Sequence, residues 1–158
     1  MPTDFLTLLH RDHHDLELGL DDLLAADSVA EIRTGLDGVR LGLTAHAEAE
    51  DIVLAHAVAR SAADRMIEAL VDDAHEAHVA QEYALASLAS ATPRSAAWRA
   101  SARYLRDLVR DHADYEERRI LPALREVMPK VYEALAGEFA TERLRQLAML
   151  QPSALIYV

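Results

Sequence analysis

The chain has no cysteine. That excludes disulfides and thiolate zinc sites and makes a reducing, cytoplasmic compartment the expectation. Glycine and proline number five each in 158 residues, and aromatic residues are 5% of the total. Few turn formers and few strand formers together argue against a sheet. No window approaches the roughly 20 apolar residues of a membrane span, so no membrane partner is expected. The N-terminal stretch MPTDFLTLLHRDHH does not read as a signal peptide, because its charges follow a very short apolar run. Basic residues are also in deficit, 16 against 27 acidic ones, for a formal net charge of −11. A field of that sign repels phosphate backbones, so no nucleic-acid partner is expected.

What is present is helix-forming. Apolar residues are 51% of the chain, and alanine and leucine dominate them. The length suits one domain with a core of its own. Leu6, Leu9, Leu16, Leu20 and Leu23 recur at helical spacing, so a first helix is predicted over 3–26. Asp27 and Ser28 mark a turn and a new N-cap. A second helix is predicted from about Val29 to Arg60, weakened in its first half by Gly35, Gly38 and Gly42. A third follows from about Ala63 to Ser90. The SATPRS breaker then supplies Ser95 as a cap for a fourth, from Ala96 to about Glu126. A shorter helix fits Lys130 to Leu150, before the apolar tail QPSALIYV. Long helices with short joints imply antiparallel neighbours. The expected fold is therefore all-α, an up-down-up-down four-helix bundle over residues 1–128 with an additional C-terminal helix and tail, 129–158, docked on it.

The polar residues contain a repeat. Each of the four long helices carries part of the chain's eight histidines. At an offset of 65 or 66 residues, His10 falls on His75, His13 on His78, His46 on His112, Glu50 on Glu116 and Asp51 on Glu117. Each half reads H-x-x-H and then, roughly 33 residues later, H-x-x-x-E-[DE]. Helical periodicity explains leucine falling on leucine; it does not explain histidine falling on histidine.

Positions i and i+4 share a helix face, so His46 with Glu50, and His112 with Glu116, can each reach one point. Both pairs lie on apolar stripes, flanked by Leu43 and Val53 in one case and by Val109 and Ile120 in the other. His13 shares the stripe of Leu9 and Leu16, and His78 that of Val71 and Leu85. All six polar side chains thus point inward. An unpaired carboxylate in a dry core costs several kcal/mol, and a bound cation removes that cost. One carboxylate from each half can bridge two ions. Imidazole mixed with carboxylate suits iron or manganese, with zinc compatible by ligand type. The competing structure is a polar layer of His–Glu hydrogen bonds without metal.

Four segments, LLHRDHHDLELGLDDLL, LTAHAEAEDIVL, HEAHVAQEYALASL and LVRDHADYEERRILPAL, resemble the hemerythrin-like (HHE cation-binding) family. The resemblance spans Leu6 to Leu124 and is most specific in the H-x-x-x-E-E-x-x-[IL]-[LF]-P form on the fourth helix. It implies a bundle around two iron ions in an oxo- or hydroxo-bridged centre that reacts with dioxygen or related small molecules. Carried onto this chain, it makes His13, His46, Glu50, His78, His112 and Glu116 the metal ligands, with both glutamates bridging. Oxygen carriers of the family have a fifth histidine one turn after the helix-three ligand, where this chain has Glu82. Glu82 is either a carboxylate ligand or a solvent-facing partner for an arginine. His75 is either a fifth ligand or a residue at the edge of the core. Gln81 stands where the repeat has Leu16, either hydrogen-bonding a metal ligand or facing another helix. His10 shares the ambiguity of His75; His14 is expected in solvent and His56 at a helix end. Tyr83 and Tyr115 either approach the centre or pack with one hydrogen bond.

These departures count against reversible oxygen carriage, which a mostly apolar pocket protects. The expected function is binding or sensing of O2 or NO. The alternatives are a di-iron enzyme decomposing peroxide and iron buffering. Ferroxidase storage is disfavoured because no Glu-x-x-His pair occurs. The chain is expected as a monomer or homodimer, with SALIYV either folded on its own bundle or forming a dimer contact.

Overall fold

The computed structural model describes residues 3–60 and 64–151. Helices α1 (Phe5–Ala25), α2 (Val29–Arg60), α3 (Arg65–Ser90) and α4 (Ala96–Tyr115) follow in order. The last continues through a π-helical turn, Glu116–Ile120, into α5 (Leu121–Val127), and α6 (Pro129–Leu150) comes after it. No strand occurs among the described residues. α1 and α3 each pack against both α2 and α4, which closes the up-down-up-down ring. No described helix is long and apolar enough to cross a membrane. The tail from 152 to 158, and the joint at 61–63 where the third helix was expected to begin, lie outside the described residues.

Local chemistry sets the helix starts. Ser28 Oγ accepts from the Glu31 N–H at 3.2 Å, and the Glu31 carboxylate accepts from the Ser28 N–H at 3.0 Å. This reciprocal capping box opens α2. The Asp64 carboxylate accepts from the Met66 N–H to open α3, and Ser95 Oγ accepts from the Trp98 N–H to open α4. Pro129 opens α6, where a missing N–H leaves no helical bond unmade. Inside the fourth helix, Pro122 has no N–H, and its ring crowds the carbonyl four residues earlier. The chain widens just before it: the Leu121 N–H reaches back five residues to the Glu116 carbonyl.

The core is in two parts. Leu16, Leu20, Leu23, Val39, Leu43, Leu85, Leu88, Trp98, Leu105 and Val109 belong to one apolar cluster. Phe5, Leu9, Val53, Leu54, Ile67, Ile120, Leu121 and Leu124 belong to the other. α1, α2 and α3 each pass through both, as does α4 with its continuation into α5, and between the clusters each carries buried polar side chains: His13, His46 and Glu50, His78, and His112 and Glu116. α6 buries Tyr132, Leu135 and Phe139 in the second cluster and packs on α2 and α1. Its rings meet Phe5 edge-on at 6.0 and 5.9 Å.

Glycine in α2 serves close approach at one point. A Cβ on Gly35 would lie 3.2 Å from Leu23 Cδ1 of α1, whereas a Cβ on exposed Gly38 would meet nothing within 4 Å. Gly38→Ala is therefore expected to stabilise the chain by about 0.5–1 kcal/mol through backbone entropy. Gly35→Ala should lose that gain to the clash with a buried leucine and end below wild type. Urea unfolding midpoints in the order Gly38→Ala, wild type, Gly35→Ala check this packing.

Candidate metal centre

The polar layer is built from four helices. α1 supplies His13, α2 His46 and Glu50, α3 His78, and α4 with its π turn His112 and Glu116; all six are at most 5% exposed. The imidazoles stack edge-on in two close pairs, His13 with His46 at 4.9 Å and His78 with His112 at 4.6 Å between centroids. The cross distances are longer, 6.0 and 6.1 Å. Each carboxylate stands between one member of each pair. Glu50 lies 3.3 Å from His46 Nε2 and 3.8 Å from His78 Nε2. Glu116 lies 3.2 Å from His13 Nε2 and 4.0 Å from His112 Nε2. Two overlapping sets can each hold a cation: His13, Glu50, His112 and Glu116, and His46, Glu50 and His78.

The inward atoms have no hydrogen-bond partners. This holds for Nε2 of all four histidines and for both oxygens of Glu50 and of Glu116. Close contacts such as His13 with Glu116 attract by charge without hydrogen-bond alignment. Buried polar groups are otherwise almost always paired, so a ring of orphaned donor atoms around two carboxylates fits a cation better than it fits a hydrogen-bonded layer.

The outward atoms are held. His46 Nδ1 donates to Asp12 at 3.1 Å, His78 Nδ1 to Asp51 at 2.7 Å, and His13 Nδ1 to Glu117 at 2.9 Å. A carboxylate only accepts, so in the neutral rings these bonds put the proton on Nδ1 and leave the Nε2 lone pair aimed inward. His112 Nδ1 has no partner. The repeat shows why, since the position matching Asp12 is Ala77. Asp12 is held in turn by Arg143 of α6, and Phe139 of α6 stacks on His46 at 5.6 Å.

Burial and charge act differently on the two glutamates. Burial pushes Glu50 up, but His78, His46 and His112 outweigh it and hold its carboxyl well below the ordinary range. Burial and the charge of Glu50 push Glu116 up to about 7, against the pull of His13. Burial pulls His13 down, yet Glu116 and Glu117 raise it to about 10. Burial takes His112 down to about 3, with Glu50 opposing and the other imidazoles assisting.

The remaining sequence candidates sit outside this layer. His75 is 62% exposed and its Nδ1 binds the other oxygen of Asp51 at 2.7 Å, so it props a carboxylate that props His78. His10 does the same for Glu117 at 2.8 Å. Glu82 is exposed at the rim of a cleft between α2 and α3. His14 and His56 are exposed. Tyr83 is at the surface, and the Tyr115 hydroxyl donates to Asp73 there. Gln81 is buried. Asp12, Arg143 and the π turn carry no part in the sequence reading. The signals for them were Asp12 directly before His13, and Pro122 six residues past Glu116.

Without an ion, the two glutamates should affect stability in opposite senses. The raised value of Glu116 means its contribution falls as pH rises from the carboxylate range through about 7. The lowered value of Glu50 means its contribution is present above that range and lost in acid. At pH 8, metal-free Glu116→Gln is therefore expected to melt above metal-free Glu50→Gln, with the gap narrowing toward pH 5. Thermal unfolding in chelator across that range is the check.

Comparison with curated proteins and with solved structures finds no match. Comparison with protein-family models finds one over residues 4–124, the hemerythrin HHE cation-binding domain. That interval starts one residue before α1 and ends inside α5, so it takes in all six inward side chains. Given that span, the chain belongs to the hemerythrin HHE cation-binding family.

Proposed function

We propose that this protein holds two iron ions and binds dioxygen, nitric oxide or a related small oxidant at them. The observation that carries the proposal is the position of the carboxylates. Glu50 lies within 4 Å of His46 and His78 of one donor set and of His112 of the other, and Glu116 lies beside His13 and His112. His13 and His112 would serve one ion and His46 and His78 the other, with Glu50 and Glu116 as the bridging carboxylates, so the six side chains would hold two. Bound there, the ions would supply coordination and electron exchange for the small molecule. Imidazole and carboxylate donors with no thiolate suit iron.

The chain's own contributions follow from its contacts. Asp12, Asp51 and Glu117 fix three imidazoles in the tautomer that presents Nε2. The apolar clusters on either side exclude water and keep the electrostatics strong. His75 and Glu82 support or border the layer rather than bind the ions. Decomposition of peroxide is the second reading. It draws on the cleft of about 120 Å³ between α2 and α3, lined by His78 and by the polar side chains of Gln81 and Thr44.

Two irons per chain by elemental analysis, with near-ultraviolet charge-transfer absorption in the oxidised protein, are the expected result; no iron after anaerobic reconstitution would refute the proposal. Glu50→Ala and Glu116→Ala should each lose most of the iron, because either change removes a ligand from both ions. Two irons retained in both variants would end the bridging assignment. Oxygen evolution from added peroxide would favour the enzymatic reading over binding or sensing.

A further inference from the structure

Gln81 has no role in the layer described above, and its surroundings do not account for it. It lies one helical turn past His78 on α3, is 2% exposed, and its Nε2 has no hydrogen-bond partner. A buried amide left without a partner costs about 1–3 kcal/mol. In the other half of the repeat the matching residue is Leu16, which fills the same place with apolar surface. The two halves are therefore alike in their six inward ligand candidates and unlike here.

The second observation is the cleft. Leu43, Ala47, Asp51, His78, Gln81 and Leu85 are among its walls, and its volume is about 120 Å³. That is ample for one or a few small molecules, since a single water needs roughly 10–15 Å³ by such a measure. Its walls are mixed: Leu43, Val79 and Leu85 are apolar, Glu48 and Glu82 are exposed carboxylates, and Asp51 is already engaged by His75 and His78, while the buried Gln81 N–H is a donor without an acceptor. His78 lines the same cavity and belongs to the inward layer, so a guest in the cleft lies beside that side of the centre.

We infer that Gln81 is the hydrogen-bond donor for a small, electron-rich acceptor ligand that enters between α2 and α3 and binds on the His78 side. The inference rests on the metal reading above. Gln81 is a positioning residue: its amide gives an acceptor guest a partner that an apolar residue of similar size cannot, and a charged acceptor gains the most from it.

The test uses full-length protein loaded with iron and oxidised, with azide as the probe. Metal content is measured first in wild type and in Gln81→Leu, the residue that the repeat places at the matching position. Both should hold two irons. Azide affinity, titrated by absorbance, should fall about tenfold in Gln81→Leu, the loss of roughly one hydrogen bond to a charged group. The infrared stretch of bound azide should shift, which a purely structural change would not produce. Metal-free Gln81→Leu should melt at or above wild type, since it removes an unsatisfied buried amide. Gln81→Met, apolar and of similar length, repeats the measurements if the leucine variant does not accumulate. Loaded variants with wild-type azide affinity and an unshifted band would overturn the role of Gln81 and leave the metal centre standing. Wild type that fails to take up metal would overturn both.

Discussion

Everything in this fold accommodates one constraint, a layer of four imidazoles and two carboxylates set across a dry core. Such a layer is expensive, since each unpaired buried ion costs several kcal/mol. The architecture confines the cost to one level. The apolar residues divide into clusters on either side of it, so each helix has to be amphipathic twice with a polar interval between. That is why the helices are long: a shorter one would reach the layer and leave one cluster open.

The duplication explains the layer, and its departures explain the asymmetry. Asp51 and Glu117 are repeat mates, and each ties an exposed histidine and a buried one together. Asp12 has no mate, because Ala77 stands in its place. The half that has Asp12 is also the half that α6 covers, through Arg143 on Asp12 and Phe139 on His46. The other side, with Gln81 where its mate is Leu16, opens into the cleft. α6 thus lies over one side of the layer, and the α2–α3 cleft borders the other.

How much of this was legible in the sequence depends on the distance over which each feature is determined. Periodic leucines and the Ser28 and Ser95 caps are local, and they marked α1, α2 and α4 closely. The inward set was legible because duplication repeats it, which turns a weak pattern of single histidines into an ordered one. Glu82 and His75 were ambiguous for a geometric reason. Both lie within a turn of His78, and positions i−3 and i+4 fall at the edges of the inward face, where a small rotation of α3 decides burial. The rotation that buries Gln81 turns Glu82 out. Asp12 and Arg143 were not legible, since their pairing joins residues at opposite ends of the chain. The π turn was signalled only by Pro122, which alone is equally consistent with a kink.

Proton affinity separates the imidazoles as clearly as position does. His13, pressed between Glu116 and Glu117, is held up to about 10 and carries a proton at neutral pH. His112, with no carboxylate on its outer nitrogen and with burial pulling it to about 3, is neutral throughout the physiological range. A cation entering the layer would therefore meet His112 free of a proton and would have to displace one from His13. The same carboxylate that aligns His13 resists its deprotonation, while His112 is available because nothing restrains it. In His13 and His112 alignment and availability are set against each other, and Ala77 in place of a second Asp12 is what leaves His112 without an outer carboxylate.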